Sequence, residues 1–252
     1  MAVSFAYMNQ RYTNIIVENT SDKVILDYKV AYIQFDKNGF SVSSNQYEGG
    51  SITAANLLPG DKEISSFYGV NGKYVVATIV YIRYQGDETW EANNIEAWAD
   101  NTIKNFTVDG YKESINALKD KAVLAETNEY VEIVSTEKYH DNQFSNKDDL
   151  SFTLKNISSN TIESATLCLL EYDENGLAIP TSPHNTYAKN DHVIGGTINL
   201  LSDTTNSFIK SLFFETTCEK YKCIVKDIVF SDGTEWTNPY VYEWIFCNCD
   251  QF

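Results

Sequence analysis

The side chains best suited to nucleophilic or metal chemistry are few, and all sit late in the chain. Three histidines (His140, His184, His192) and five cysteines (Cys168, Cys218, Cys223, Cys247, Cys249) all fall in the second half of the 252 residues. A nucleophile needs a base within hydrogen-bond reach, and the first half has no imidazole to offer. The histidines are too scattered to make a metal-binding motif. Cys247-Asn-Cys249 would need two more ligands at usable spacing to hold zinc. Cys218 and Cys223 flank Glu-Lys-Tyr-Lys, a hairpin-like turn, where a bridge and two free thiols both fit. An odd count leaves at least one thiol unpaired within the chain, which favours a reducing compartment. Gly-x-Ser-x-Gly, His-Glu-x-x-His and phosphate-loop motifs are absent. No metal site and no cofactor is therefore expected.

The carboxylates read as turn chemistry. Asp36 and Asp173 each stand two residues before an Asn-Gly pair, and Asp232 precedes Gly233. Asp in such positions hydrogen-bonds its own backbone. Asp141, Asn142, Asn146, Asp148 and Asp149 make an oxygen-rich stretch without the order a calcium loop requires, so it reads as a solvated loop. Acids distant in sequence can still converge in space, as in two-carboxylate glycosidases, and that keeps a hydrolase open as a third reading.

Aromatic residues give the binding candidates. Trp90 and Trp98, and again Trp236 and Trp244, recur eight residues apart. In one regular strand an even spacing puts both on one face, a platform for a sugar ring or a protein. The favoured reading is packing tryptophans shared by two copies of one fold. Tyr28, Val30 and Tyr32 share a face opposite Ile33 and Phe35. Ile79, Tyr81 and Arg83 oppose Val80, Ile82 and Tyr84. Sandwich strands normally bury one face only, so a second apolar face needs a cover: a helix, the other unit, another subunit or a partner. Tyr28, Tyr32, Tyr81, Trp90, Trp98, Trp236 and Trp244 are the candidate binding residues.

These candidates sit in a duplicated frame. Ile15–Ile25 resembles Phe152–Ile162, and Tyr32–Gly39 resembles Leu169–Gly176, without gaps. Asn19/Asn156, Asp36/Asp173, Asn38/Asn175 and Gly39/Gly176 are identical pairs at one offset of 137. A later block runs at an offset of 146, pairing Gly49/Gly195, Ile82/Ile228, Trp90/Trp236 and Trp98/Trp244. The extra residues of the second copy fall in Leu177–Ile194, read as a long loop.

Each copy shows seven strand-like runs. They are about 3–8, 12–18, 24–36, 51–57, 62–68, 74–84 and 89–98 in the first, and about 130–137, 149–155, 161–172, 194–200, 206–214, 222–230 and 235–245 in the second. Asn38-Gly39, Asn175-Gly176, Gly86-Asp87 and Asp232-Gly233 are hairpin turn signals. This spacing predicts an all-β protein of two antiparallel β-sandwiches, immunoglobulin or fibronectin type III in kind. The sandwiches span 1–104 and 129–252. Between them, 105–128 is rich in helix formers. Asp109 is a candidate cap, and Tyr111, Ile115, Leu118 and Ala122 recur at helical spacing, which predicts a short helical linker.

One pattern carries a resemblance. Lys155, Asn156 and Ser158, then Tyr172, Asp173 and Gly176, then Ile228, Phe230, Asp232, Gly233, Thr234 and Trp236 resemble small β-sandwich modules of unassigned function found in Firmicutes, especially clostridia, in cell-envelope lipoproteins and secreted proteins. The first copy departs at Glu18 and at Gly86-Asp87-Glu88. The resemblance implies an extracellular or envelope setting, whereas the sequence as written, with no export signal and unpaired cysteines, implies a cytoplasmic one. It attaches no catalytic residue.

Charge narrows the partners. Nineteen Lys and Arg against 35 Asp and Glu give a net charge of −16, which opposes binding to phosphate backbones and to anionic membrane surfaces. The longest apolar run, about 74–82, is too short to span a bilayer. The expectation is a non-enzymatic binding or scaffolding protein that engages a protein partner or itself. A carbohydrate-binding module using exposed Trp or Tyr is the second reading. Neither nucleic-acid binding nor membrane insertion is expected.

Overall fold

The computed structural model describes residues 1–8, 12–43, 45–69, 71–139, 149–176, 193–211 and 220–248. His140, His184 and His192, Cys218 and Cys249, most of the oxygen-rich stretch and the loop after Gly176 lie outside them. Half of the described residues are strand, in four antiparallel sheets, with three helices. Contacts divide the chain at Ala117/Leu118 into two compact units.

Unit 1 contains β1 (Ala2–Met8), β2 (Tyr12–Glu18), β3 (Ile25–Phe35), β4 (Glu48–Ile52), β5 (Lys62–Tyr68), β6 (Tyr74–Tyr84) and β7 (Thr89–Glu91). They form a sheet of order β1-β2-β5 and a sheet of order β4-β3-β6-β7. Alternation in the sequence sets the faces. Ile15 and Val17 of β2 meet Tyr28, Val30 and Tyr32 of β3 and Val75 and Ile79 of β6 in one core between the two sheets.

The outer face of β3 is covered by the unit's own helix α1 (Ile95–Asn105). Ile33 and Phe35 pack with Ala99 and Trp98 of that helix, and Phe106 stacks on Phe35 with ring centroids 3.8 Å apart. This is the cover that the two-sided apolar strand required.

Unit 2 repeats the plan with β8 (Val131–Tyr139), β9 (Asp149–Asn156), β10 (Ile162–Tyr172), β11 (Val193–Leu200), β12 (Thr205–Ser211), β13 (Lys220–Phe230) and β14 (Glu235–Thr237). The orders are β12-β9-β8 and β11-β10-β13-β14. Its core joins Leu150, Phe152 and Leu154 to Leu167, Leu169 and Ile228. Helix α3 (Val241–Asn248) takes the position of α1, and the Tyr172 hydroxyl donates to the Asn248 carbonyl at 2.7 Å. Even the irregularities recur. Bulges fall between Val3/Phe5 and Ile133/Ser135, between Ile25/Asp27 and Ile162/Ser164, and between Lys29/Val30 and Thr166/Leu167.

Two expectations are corrected. The runs 89–98 and 235–245 are not single strands: each is a three-residue strand followed by a helix. Asn94 caps α1 by accepting from the Ala97 N–H at 2.9 Å, with Glu96 in the first turn and Lys104 in the last, both favourable to the helix dipole. Asn238 accepts from the Tyr240 N–H at 3.1 Å just before α3. The helix expected within 105–128 is α2 (Val108–Ala125). The side chain at its start that accepts a backbone N–H is Thr107, from Gly110 at 3.2 Å, while Asp109 lies in the first turn.

Candidate functional site

The seven aromatic candidates do not form one surface. Tyr28 is fully buried in the unit 1 core, its hydroxyl held by Glu63 and Ser65 and its acidity suppressed by burial. Tyr32 stacks on Phe67 at 5.8 Å, and burial, with Glu48 nearby, pushes its hydroxyl up to about 12. Tyr81 lies on the opposite face of the sheet, with the Lys29 ammonium 5.0 Å from its ring centre. Trp90 on β7 is 45 % exposed. Trp98 belongs to α1 and packs over Ile33 and Phe35. Trp236 on β14 packs on the unit 2 core, 5.6 Å from Tyr130. Trp244 in α3 is 1 % exposed and donates its indole N–H to Glu126 at 3.1 Å. Within each pair the two tryptophans stand on different elements, so the shared-face geometry is absent.

The repeated polar motifs hold the frame. Asn156 is buried: its amide donates to the carbonyls of Asn160 (2.7 Å) and Leu200 (2.9 Å), and its oxygen accepts the Ser158 N–H and hydroxyl at 2.9 and 2.7 Å. Asn19 makes the same four bonds with Lys23, Leu57 and Ser21. Asp36 accepts from the N–H groups of Asn38 and Phe40, Asp173 from Asn175, and Asp232 from the N–H and hydroxyl of Thr234. Gly39, Gly176 and Gly233 follow with φ of 89°, 76° and 83°, the left-handed region where glycine is unstrained. Backbone donors hold the Asp36 carboxyl below the usual carboxylate range, and Thr234 does the same for Asp232. These acids are turn formers.

The described thiols are not primed for nucleophilic chemistry. Burial pushes Cys168 up to about 12 and Cys247 up to about 11, and raises Cys223, whose sulfur lies 3.5 Å from the Thr136 hydroxyl. Thiolates, the reactive form, are disfavoured in such surroundings.

Where the two units differ, unit 2 opens. A cleft of 560 Å³ lies between β8 and β13. From β13 only the inward-facing, alternating Tyr221, Cys223 and Val225 reach it. From β8 the consecutive Val131, Glu132 and Ile133 reach it, with Thr136. Consecutive residues point to opposite faces of a strand, so β8 presents its edge to the cleft. Among the described residues no strand pairs with that edge, but side chains bond to it: Asn128 accepts the Val131 N–H at 2.7 Å and donates to the Val131 carbonyl at 2.9 Å, and the Tyr221 hydroxyl donates to the Thr136 carbonyl. Glu126, Thr127, Asn128 and Ile157 close the rim.

The corresponding positions of unit 1 are filled. Bulge and register set β1 against β8 residue for residue, so Met1, Val3 and Ala6 match Val131, Ile133 and Thr136. Val75, Ala77 and Ile79 match Tyr221, Cys223 and Val225. All six unit 1 residues pack in or against one hydrophobic core, as do all their unit 2 counterparts except Thr136; the difference is that β1 lies close against β6, whereas β8 and β13 touch at few points. The same strand carbonyl is capped by a tyrosine hydroxyl in both units. Tyr111 donates to Ala6 at 3.0 Å, and Tyr221 donates to Thr136 at 2.9 Å.

Glu126, Glu132, Thr136 and Tyr221 were not among the sequence candidates. For Glu132, Thr136 and Tyr221 the signal was present, as polar or bulky residues stand against Ala2, Ala6 and Val75 of the first copy; Glu126 has no counterpart there.

The family comparison agrees with the duplication. No curated protein matches the chain. A solved structure of a hypothetical protein from Peptoclostridium difficile 630 is similar, with 13 % identity and a TM-score of 0.40, over 50 % of this chain and 95 % of that one. Residues 12–105 and 149–248 each match one family, running from β2 through α1 and from β9 through α3, so the shared unit includes the helix that covers the sheet. The two matched segments make up most of the sequence, and the chain belongs to DUF5780, a family of unknown function.

Proposed function

We propose that this chain is a non-enzymatic protein-binding module in which the duplicated β-sandwich supplies a rigid frame and the cleft of unit 2 is the docking site. The observation that carries this reading is the asymmetry between the copies: β1 lies close against β6 in unit 1, whereas β8 and β13 stand apart around a cleft of 560 Å³ in unit 2. Clefts with apolar floors and a few convergent polar groups are the usual form of binding sites. The strand order β1-β2-β5 against β4-β3-β6-β7 supports the finer assignment of each unit to the fibronectin type III kind.

The polar motifs are consumed by turns and brackets, and the described cysteines are held as thiols. Both support a binding role over catalysis. The sugar-platform reading has less behind it, because three of the four tryptophans are packed into their own unit.

The test is selection of a random peptide library displayed on phage against the full chain and against Ile133→Arg, which fills the cleft with a charged side chain. Peptides that enrich on the parent chain and fail on the variant are expected. Enrichment that is equal on both, with the variant folded by circular dichroism, would reject the cleft as the docking site.

A further inference from the structure

We propose that Glu171 and Tyr221 form a proton-operated switch beside the unit 2 cleft: while the Glu171 carboxyl keeps its proton, the Tyr221 hydroxyl stays on the Thr136 carbonyl, and when the carboxyl ionises, the hydroxyl turns to Glu171 and unties β13 from β8. The switch goes beyond the docking reading and does not depend on what the cleft binds.

A paired divergence between the copies points to it. Glu171 of β10 stands directly opposite Tyr221 of β13, and the matching pair in unit 1 is Gln34 opposite Val75. Both members of the unit 2 pair face inward, because Leu167 and Leu169 of β10 and Val225 of β13 belong to the core and alternate residues of a strand share a face. The Gln34 amide is engaged on both sides. Its oxygen accepts the Asn71 and Gly72 N–H groups, and its nitrogen donates to the Gly69 carbonyl at 3.2 Å. Glu171 is only 5 % exposed, yet it makes no hydrogen bond or ion pair among the described residues. Burial without a donor penalises the charged form and pushes this carboxyl upward.

The hydroxyl is close at hand. Residues directly opposite on antiparallel strands have Cβ atoms about 5 Å apart, and Tyr221 now donates to the Thr136 carbonyl at 2.9 Å. A carboxylate is a stronger acceptor than a carbonyl, so ionisation reverses the preference of the hydroxyl. Unit 1 holds an arrangement of the same kind, with the buried Tyr28 hydroxyl on the Glu63 carboxylate. At the switch position itself unit 1 has neither part: valine stands opposite Gln34, and the Ala6 carbonyl is capped by Tyr111 of α2.

Tyr221 is the titratable group that faces Glu171 from β13. From β9 the facing residue is Leu150, the counterpart of Thr13, which Gln34 meets at 3.4 Å. Lys138 of β8 and Lys210 of β12 stand opposite Leu150 in register. β11 begins at Val193, opposite Cys168 and short of this level. Helix α3 lies on the other face of β10, where the Tyr172 hydroxyl meets Asn248.

The test is a titration of the full chain, labelled with 13C and 15N, between pH 4 and pH 8, following the Glu171 carboxyl carbon and the Thr136 carbonyl carbon. Both are expected to move with one midpoint, above the ordinary glutamate range. In Tyr221→Phe the Thr136 carbon should stay flat. The Glu171 midpoint should rise by about one unit, a tenfold change in proton affinity, because the charged form has lost its donor. In Glu171→Gln, which places the unit 1 residue here, the Thr136 carbon should again stay flat. A Thr136 carbon that ignores the Glu171 midpoint in the parent chain, or that still titrates in Glu171→Gln, overturns the switch. So does a Glu171 midpoint unmoved in Tyr221→Phe, which would assign its charge to a lysine of the facing sheet. No ligand enters the measurement, so the switch and the docking reading fail independently.

Discussion

Replacing Asn156 by alanine tests whether the most distinctive repeated residue belongs to the frame. Its side chain is fully buried and makes four hydrogen bonds. The bond to the Leu200 carbonyl is the deepest, since Leu200 is 2 % exposed. Stripping a buried group of its partner costs about 1–3 kcal/mol. The three bonds to Ser158 and Asn160 lie nearer water, which replaces them in the variant, so together they add only about 1 kcal/mol. Together these predict a loss of about 2–4 kcal/mol, located at the turn that ties β9 and β10 to the β11–β12 connection.

Hydrogen exchange read by mass spectrometry separates the units, because protection follows the free energy of the opening that exposes each amide. A loss of that size accelerates exchange of β9, β10 and β11 amides by about 30- to 1,000-fold, at tenfold per 1.4 kcal/mol, and leaves the unit 1 sheets unchanged. Asn19→Ala should do the same to β2, β3 and the β4–β5 connection, and leave unit 2 alone. The duplication therefore supplies its own replicate. Acceleration under tenfold in both variants would refute the bracket argument.

Glu171 is the counterpart of Gln34, whose side-chain oxygen accepts the N–H groups of Asn71 and Gly72 at 2.7 and 3.1 Å. Burial alone pushes the Glu171 carboxyl upward. The folded state then holds its proton more tightly than the unfolded one, so this group favours folding at low pH and loses that contribution as pH rises through its folded value. Glu171→Gln should flatten that slope and stabilise unit 2 at pH 7 by about 1 kcal/mol, read by urea titration at pH 4 and pH 7; an unchanged slope would refute the assignment. A Cβ at Gly50 would lie 1.9 Å from the Phe67 ring, whereas one at Gly196 meets nothing within 4 Å. Gly50→Ala should therefore cost about 1–3 kcal/mol through overpacking and Gly196→Ala about 0.5 kcal/mol or less, and equal costs would contradict the packing. In single-tryptophan variants iodide should quench Trp90 and spare Trp244, as their 45 % and 1 % exposures require; strong quenching of Trp244 would place it wrongly. Native alkylation at pH 8 should leave Cys168 unmodified, since the thiol is buried and pushed up to about 12, and its rapid labelling would show that α3 does not cover β10.

Much of the frame is legible in the sequence because its signals are local. β2, β5 and β6 fall at the residues that alternation and turn chemistry indicate, and the Asp-x-Asn-Gly turns form where the dipeptides lie. The two misread runs failed for a local reason as well. Trp90 and Trp98 suggested one strand, but Asn94 with Glu96 two residues later, and Asn238 followed by Pro239, are helix starts. Register was less accessible. The Gly-Gly-x-Ile similarity sets Gly50 opposite Gly196, yet Gly50 pairs with Val30 while Gly196 pairs with Ala165, the counterpart of Tyr28. The strand has slid by two residues, which preserves which face is buried, so the hydrophobic pattern carries no trace of it.

The cleft was hidden for a different reason. A duplicated sequence draws attention to what the copies share, and here the shared residues are the ones the frame consumes. Asn19 and Asn156 bracket turns, Asp36 and Asp173 shape them, and Trp98 and Trp244 seat the covering helices. Function that is present once must lie where the copies diverge. Ala6 against Thr136, Val75 against Tyr221 and Ala77 against Cys223 are unremarkable as sequence, because the first lies some 70 to 85 residues from the other two, which sit two residues apart on one strand. Folding sets all three side by side on β8 and β13, together with Glu126, which Trp244 orients from the far side of β13. One copy closes at these positions with small apolar side chains, and the other remains open with hydroxyls and carboxylates at its rim. Substituting the unit 1 residues into unit 2, as Thr136→Ala with Tyr221→Val and Cys223→Ala, should therefore abolish peptide binding while leaving β9, β10 and α3 as well protected from exchange as in the parent chain.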